Sequence, residues 1–429
     1  MDEINENDVN VTELENEVEK DFSAEEKEIL NKENNQESDD KIEIVESTDW
    51  HKDLNLTKKE LEECKVLQQT LDGFLKDKAK LELDSGVIDV LPTGIDLLDA
   101  ILGGGFGVGT FSMIVGNPGT FKSSILAQVI GTSQKKYKGK LLTSYLDSEN
   151  SMTTQRLFEL GVKYPKLKPY SDISVEDVFK VINCHAIFKE TNKVLSYPSI
   201  IAWDSIANTS TLKEKESESD DINSFIGLKA RILSILMPKY VSKIKKYNIS
   251  LISVNQLREK IDMGFFMKAN DLRWMGDKSI PGGQAVKFNA FHLLLLAVKG
   301  DVKFEQYGFN GVKLELKCIK NKLFTPNIPI TLIVDFNEGV SNFWTNYNYL
   351  AENKKIKAGA WNYLITKPEL KFRTKDAYKI YSENKEFKEL FDKEVQECIK
   401  INIIDKFKKV IDDLDKSVTK EDEETKVEI

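Results

Sequence analysis

The sequence has few of the residues that build metal centres and disulfide frameworks. Its 429 residues include four cysteines and three histidines. The cysteines lie far apart and form no C-x-x-C pair, which argues against a zinc site and against a disulfide framework. The histidines are equally scattered, so we do not expect chemistry that needs a histidine base or a histidine metal ligand.

Long apolar runs and a targeting signal are also missing. No apolar run approaches the roughly 18 residues that read as a membrane-spanning helix. The N-terminus, MDEINENDVN, is acidic, whereas signal and transit peptides carry basic residues. We therefore expect a soluble, cytoplasmic protein without a membrane partner.

The net charge of −9 is unevenly distributed along the chain. Residues 1–50 hold 19 acidic residues against 4 lysines, and residues 411–429 hold 8 against 3. The body between residues 51 and 410 therefore carries a net charge of +11. A basic body favours a polyanionic partner for which the acidic ends compete, although acidic ends also serve simply for solubility.

Composition and periodicity predict five segments. A helix with an apolar stripe begins near Thr57, and this stripe packs either on its own core or on a neighbouring subunit. The five segments are an acidic disordered segment (1–52), an N-terminal helix and strand (53–90), a large α/β unit (91–345), a C-terminal unit (346–410) and an acidic tail (411–429).

A loop of small residues between a strand and a helix is the main functional signal. The stretch FSMIVGNPGTFKSS (111–124) has the pattern of a buried strand, a loop and a helix start. In such a loop, backbone N–H groups bind phosphates, the lysine reaches the outer phosphates and the next hydroxyl takes Mg²⁺. Phe121 stands where the usual spacing has a second glycine, so an ordinary strand-to-helix turn is the alternative. The predicted triphosphate-binding residues are Gly116, Asn117, Pro118, Gly119, Thr120, Phe121, Lys122, Ser123 and Ser124.

Two further predicted strands end in acidic side chains. KLLTSYLD (140–147) is followed by Ser148 and Glu149, and PSIIAWD (198–204) ends in Asp204. Ligands bind at the carboxyl ends of parallel strands, so Glu149 is placed to activate a water and Asp204 to hold Mg²⁺ through water. Taken alone, each acid also fits a solvated strand end.

A long basic loop follows the next strand, ISLISVNQ (249–256), which ends in two amides. Between Leu257 and Ala285, arginines and lysines are interleaved with phenylalanine and tryptophan, and the loop closes at Pro281-Gly-Gly. Basic residues interleaved with aromatic residues fit the phosphates and bases of a single nucleic-acid strand. Three strand-like runs follow, and from about Tyr349 the pattern predicts helix.

The order of these features resembles the RecA recombinases from about Ser85 to Lys409. The phosphate loop, with its Phe-Lys-Ser, and the D-S-E are most similar to UvsX, the branch found in T-even-type phages. The resemblance implies a RecA-type P-loop NTPase core with a mostly parallel sheet flanked by helices, an N-terminal oligomerisation helix and a small C-terminal α/β domain. The motifs that carry it are LPTGIDLLDAILGGG, WDSIA, VNQLREKI, PGGQAVKF, KCIKNKLFTP and KAGAWNYL.

The resemblance also implies roles around the nucleotide. ATP and Mg²⁺ would bind at the phosphate loop, with Ser123 and Asp204 toward the metal. Glu149 would orient the attacking water, and Gln256 would sense the γ-phosphate. Arg156 would occupy the place of the aromatic residue that stacks on adenine.

Further implied roles concern the neighbouring subunit and DNA. Lys320 and Lys322 would reach the ATP held by the adjacent subunit, and Phe288 would lie at the subunit interface. The residues that would grip DNA are Arg231, Arg258, Lys260, Gly282 and Gly283.

The expected function is that of an ATP-dependent recombinase that forms helical filaments on single-stranded DNA and exchanges strands with double-stranded DNA. Single-strand-binding and loader proteins are the expected further partners, and the compartment would be the bacterial host cytoplasm for a phage protein. One alternative is a hexameric RecA-fold helicase, which should carry an arginine finger in place of the lysine pair. The other is a DNA-binding filament protein that binds ATP without turnover.

Deleting residues 411–429 should strengthen binding to double-stranded DNA. The deletion removes a segment with a net charge of −5, which competes with DNA for the basic body. The effect should be largest at low salt, where charges are least screened. Anisotropy titrations of a labelled duplex at low and high salt measure it, and an unchanged duplex affinity at low salt would leave the tail as a solubilising segment only.

Overall fold

The computed structural model describes residues 89–162, 167, 169–217, 227–259, 278–359 and 361–406, with residues 259 and 278 described by their backbone only. Several predictions therefore lie outside the described residues. They concern the acidic segment 1–52, the N-terminal helix, residues 260–277 of the predicted basic loop with Lys260, and the acidic tail.

The elements alternate between strands and helices through the first two thirds of the described chain. The strands are β1 (Val90–Leu91), β2 (Phe106–Gly107), β3 (Phe111–Gly116), β4 (Leu142–Asp147), β5 (Pro169–Tyr170), β6 (Ser199–Asp204), β7 (Ile249–Gln256), β8 (Arg258–Glu259), β9 (Lys278–Ser279), β10 (His292–Val302), β11 (Gly311–Asn321), β12 (Pro329–Asp335), β13 (Gly339–Val340), β14 (Ile356–Lys357), β15 (Asn362–Leu364) and β16 (Lys367–Phe372). The α-helices are α1 (Asp96–Leu102), α2 (Lys122–Tyr137), α3 (Thr154–Glu159), α4 (Val175–Thr191), α5 (Leu212–Glu216), α6 (Leu228–Lys246), α7 (Gly283–Asn289), α8 (Phe304–Tyr307), α9 (Asn342–Glu352), α10 (Ala377–Glu383) and α11 (Lys385–Ile399). None of the helices in these ranges has the length and apolarity to cross a bilayer.

A nine-stranded sheet forms the centre, in the order β13-β12-β11-β10-β3-β7-β6-β4-β5. The run from β10 to β5 is parallel throughout, whereas β11, β12 and β13 pair antiparallel on one side. Parallel strands need crossover connections, and helices supply them here. The predicted fold class, a mostly parallel sheet flanked by helices, is confirmed.

Helices cover both faces of this sheet, so its central strands are buried on both sides. Every residue of β3 and β6 is buried. Successive side chains of a strand point to opposite faces, and Ile114 accordingly enters one apolar cluster while Met113 and Val115 enter the other. The buried centre fixes where the strands end, and therefore where the loops with functional residues begin.

The region after Tyr349 agrees with the small α/β domain that the resemblance implied, but it differs from the helical pattern of the sequence. A helical pattern was expected there, but a three-stranded antiparallel sheet of β14, β15 and β16 precedes helices α10 and α11. The motif that starts at Lys357 therefore lies at a strand end and its turn. These strands have two to six residues, too few for a sequence period to show, so cross-strand pairing decides their structure. The division of the chain into domains stays a prediction.

Helix α2 is held closely against the segment after α3. A Cβ atom at Gly131 would lie 2.4 Å from the carbonyl oxygen of Gly161. Real Cβ atoms do not approach backbone oxygen that closely, so only glycine permits this contact. Because α2 begins at the phosphate loop, the contact also fixes the position of that loop.

Gly131→Ala should lower the free energy of unfolding by roughly 1–3 kcal/mol, the usual cost of overpacking. Helix propensity alone favours alanine by about 1 kcal/mol, so a net loss would show that packing decides at this position. Gly300→Ala on β10 is the control, because a Cβ there meets nothing within 4 Å. Urea unfolding measures both variants, and equal stability of the two would contradict the expectation.

Candidate nucleotide-binding site

The ends of four segments meet around a small cavity at the carboxyl edge of the parallel strands. The cavity has a volume of about 170 Å³, and residues of the phosphate loop (116–124) form part of its lining. Its lining brings together residues that are far apart in sequence. They are Pro118, Gly119, Phe121, Lys122, Ser123, Glu149, Asp204, Val254 and Gln256.

The N-terminus of α2 is suited to an anion. Phe121 is the N-cap residue, but no side chain caps the helix and no acidic residue lies in its first turn. The first N–H groups of a helix have no intrahelical partner and carry the positive end of the helix dipole. An uncapped N-terminus without acids leaves these groups for phosphate oxygens.

Lys122 is buried and turns back over its own loop. Its Nζ donates to the carbonyl oxygen of Asn117 at 2.8 Å and lies 3.3 Å from Thr120 Oγ1. Burial lowers the pKa of Lys122, while Asp204 and Glu149 act in the opposite direction. Only 7% of Lys122 is exposed, which argues against the surface lysine of an ordinary strand-to-helix turn.

Phe121 shows why a glycine usually stands at its position. Its φ of 55° and ψ of 27° are left-handed, a conformation that costs a residue other than glycine roughly 1–2 kcal/mol. The Phe121 ring stacks on that of Phe336, with centroids 5.9 Å apart and planes 11° from parallel. Such a pair contributes about 0.5–1.5 kcal/mol, so the stack offsets much of the backbone cost.

Glu149 joins the ends of two strands. Its Oε1 accepts hydrogen bonds from Gln256 Nε2 at 2.8 Å and from Ser205 Oγ at 2.9 Å. The loop that carries Glu149 is shaped by Asp147, whose carboxylate accepts from the backbone N–H of Glu149 at 3.1 Å and of Met152 at 2.8 Å. The carboxylate of Glu149 is thereby fixed at the cavity.

Asp204 ends β6 with a buried carboxyl group. Burial raises its pKa to about 6, whereas the hydroxyls of Ser123 and Tyr145 lower it. Tyr145 Oη donates to Oδ2 at 2.8 Å. Although Ser123 is near enough to affect the pKa, Oδ1 is buried without a bond of normal geometry to any described residue. A buried carboxylate oxygen that accepts no hydrogen bond can coordinate a cation or accept a hydrogen bond from the cation's water.

Ser123 and Asp204 fit a Mg²⁺ ion. Proteins hold Mg²⁺ with one or two carboxylate or hydroxyl oxygens, while substrate phosphates and waters complete the shell. Asp204 Oδ1 and the Ser123 hydroxyl are oxygens of this kind. In the described ranges, including this cavity, no three His, Cys, Asp or Glu side chains group as a metal site. A Mg²⁺ ion at Ser123 and Asp204 would complete its shell with nucleotide phosphates and water.

Arg156 clamps the turn that follows β12. Its guanidinium donates to the carbonyl oxygens of Asn337 at 2.8 Å and Phe336 at 3.4 Å, and to Glu159 Oε2 at 3.1 Å. The turn is the one that carries the Phe336 ring onto Phe121. The predicted contact of Arg156 with a nucleotide base stays a prediction.

Neither Lys320 nor Lys322 is among the described residues that line the cavity of their own chain. Lys320 Nζ donates to the carbonyl oxygens of Lys287 at 3.0 Å and Phe288 at 2.7 Å, at the end of α7. Burial lowers the pKa of Lys320. Lys322 Nζ lies 5.8 Å from the centroid of the Phe291 ring. The Phe288 side chain is 73% exposed.

Two of the predicted DNA-contacting glycines pack against helix α6. Gly282 and Gly283 have φ values of 95° and 78°, and a Cβ at Gly283 would lie 3.0 Å from that of Ala230. Arg231, the next residue of α6, is exposed. The structure thus brings the start of α7 and Arg231 to neighbouring positions, as a shared surface requires.

A second basic group lies beside the loop after β6. Arg258 is exposed, and its Nη2 donates to the carbonyl oxygen of Ala207 at 3.4 Å. Lys229 Nζ donates to the same oxygen at 3.0 Å and to that of Ile206 at 3.3 Å. Both cations therefore contact the segment that continues from Asp204.

Sequence reasoning assigned no role to Ser205, Asp147, Tyr145 and Lys229. Ser205 follows Asp204 directly, and Asp147 lies two residues before Glu149. This closeness to predicted acids could have indicated a role for both. Tyr145 and Lys229 had no such signal, because their contacts arise between separate elements.

Comparison with known proteins agrees with this geometry. The family model of the RecA N-terminal domain matches residues 72–341, a segment that contains every element named around the cavity. Protein RecA of Lactococcus lactis subsp. cremoris strain MG1363 is 28% identical over 285 residues, which cover 64% of this chain and 67% of the relative. The chromosomal RecA protein of Lactococcus lactis subsp. lactis strain IL1403 is 27% identical with the same coverage.

Proposed function

The chain belongs to the RecA family and is a RecA-like recombinase, and from this premise we propose that it hydrolyses ATP within a helical filament on single-stranded DNA and exchanges strands with a homologous duplex. The observation that carries the proposal is the position of Glu149, beside the phosphate loop and bonded to Gln256. Phe121 in the loop supports the narrower proposal that the chain is of the phage UvsX type.

The proposed reaction is attack of a water molecule on the γ-phosphorus, with cleavage of its bond to the leaving ADP. Catalysis of this kind depends on positioning and on stabilising charge. Lys122 and the N–H groups of α2 would bind the phosphates, and Glu149 would orient the water. Mg²⁺, held toward Ser123 and Asp204, would neutralise charge on the phosphate oxygens.

Gln256 is the proposed link between the nucleotide and DNA. Its amide donates to Glu149, so a γ-phosphate in the cavity would compete for the same donor. Gln256 ends β7, and β8 begins two residues later at Arg258. A change in the Gln256 side chain would therefore act on the start of the predicted DNA loop.

Lys320 and Lys322 are proposed to complete the site of the next subunit. Their absence from the lining of their own cavity supports this role. Lys320 is bonded to the carbonyl group of Phe288, the predicted interface residue. Assembly would therefore position the lysine together with the interface, and hydrolysis would depend on the filament and hence on DNA.

Glu149→Gln should reduce ATP turnover by ~10²-fold or more, the scale of general-base catalysis, while the variant still forms filaments. The amide preserves the size of the side chain but cannot take a proton. Turnover is measured with and without single-stranded DNA, and filaments are examined by electron microscopy with ATP. Glu369→Gln, an exposed site on β16, is the control. Normal turnover of the variant would show that Glu149 does not orient the water. Closed rings in place of filaments would favour the helicase alternative.

Replacing Lys320 and Lys322 by alanine should abolish DNA-stimulated turnover and leave ATP binding through Lys122. A mixture of this double variant with Lys122→Ala protein should recover part of the activity. At mixed interfaces, an intact phosphate loop then faces intact lysines from its partner.

The mixing experiment needs proof that both proteins share filaments, for example by energy transfer between two labels. Lys371→Ala, an exposed lysine of β16, controls for loss of a surface charge. If co-assembled filaments recover no activity, each subunit hydrolyses ATP alone, and the proposal of a site shared between subunits is wrong.

A further inference from the structure

Phe121 connects the phosphate loop directly to the turn between β12 and β13. Phe336, the first residue after β12, is 48% exposed in the folded chain. Its stacking partner is Phe121, which is half-buried and is also the N-cap residue of α2. One ring pair thus joins the loop that binds phosphates to a turn more than 200 residues later.

Two other contacts hold the same turn. The side chain of Gln128, on α2, donates to the carbonyl oxygen of Val340 at 2.7 Å and accepts from its N–H at 3.1 Å. Arg156, on α3, donates to the carbonyl oxygens at the opposite end of the turn. The turn is therefore fixed at both ends by polar bonds, and the ring stack adds a third contact, made by the phosphate loop itself.

The backbone of Phe121 needs such support. Phe121 has a left-handed backbone where the phosphate loop meets α2, and the residues that begin α2 line the cavity. A glycine adopts this conformation freely. A phenylalanine disfavours it unless other interactions hold it. Phe336 is about half exposed. Packing in the core alone therefore does not require the Phe121 ring to lie against it.

We propose that Phe121 is a positioning residue for nucleotide binding: its stack on Phe336 holds the phosphate loop in the left-handed conformation in which the α2 N–H groups face the phosphates. The inference rests on the proposed ATP binding at this cavity. In this proposal the Phe121 ring acts by holding the backbone of the loop, and it does not contact the nucleotide.

Three single variants and one double variant test this role by the order of their effects. Phe121→Leu removes the stack but keeps the backbone cost, so the KM for ATP should rise by roughly 2- to 10-fold, the equilibrium equivalent of a lost aromatic pair. Phe121→Gly removes the stack and the cost together, so its KM should stay closer to that of the original protein. Phe336→Leu should act like Phe121→Leu, and the double leucine variant should add little to either.

The opposite order would overturn the proposal. If Phe121→Gly raises KM as much as Phe121→Leu or more, the ring acts on the nucleotide directly. Additive effects of Phe121→Leu and Phe336→Leu would show that the two rings do not act together. Phe336→Leu leaves the loop sequence intact, so it keeps the test decisive if a Phe121 variant fails to fold.

Controls separate this proposal from the proposed function. Phe158→Leu changes an exposed phenylalanine, 59% accessible on α3, and should leave KM and kcat unchanged. Binding of a fluorescent ATP analogue without DNA gives the same order independently of turnover. If the unchanged protein binds no ATP, the proposed function fails; if it binds and hydrolyses ATP but the order is wrong, only the role of Phe121 fails.

Discussion

One carboxylate oxygen, Glu149 Oε1, accepts hydrogen bonds from residues at the ends of two different strands. The strand before it, β4, and the strand that ends at Gln256, β7, are not neighbours, because β6 lies between them. The bonds to Ser205 and Gln256 therefore close the edge of the sheet across three strands. The cavity depends on this junction, since its acid, its amide and its phosphate loop come from separate parts of the chain.

Charged side chains that are buried from water, Lys122 and Asp204, lie together at this edge of the sheet. Burial lowers the pKa of Lys122 and raises that of Asp204 to about 6. Asp204 partly offsets the effect on Lys122, and the hydroxyls of Ser123 and Tyr145 partly offset the effect on Asp204. Desolvated charges are costly unless they are paired and hydrogen-bonded. A triphosphate with Mg²⁺ supplies partners of both signs, so the ligand that we propose also suits the electrostatics of the cavity.

Two routes lead from this edge to the predicted DNA surface. Along β7, Gln256 is followed by Leu257 and then by Arg258, where β8 begins. Along β6, Asp204 continues into the Ile206–Ala207 segment, whose carbonyl groups accept from both Lys229 and Arg258. Both routes reach Arg258, which gives a physical basis for the proposed coupling of nucleotide state to DNA binding within one subunit.

Local sequence determined much of this protein. The strands β3, β6 and β7, the phosphate loop, and the acids Glu149 and Asp204 at strand ends followed from apolar runs and spacing, because each signal lies within a few consecutive residues. Only the tertiary structure decided the left-handed backbone of Phe121 with its stack on Phe336, and the bonds of Lys320 to the end of α7. It also decided the three-stranded sheet after α9, where short polar strands carry no period. These features depend on pairs of residues far apart in the chain, and no local pattern specifies which distant atoms will meet.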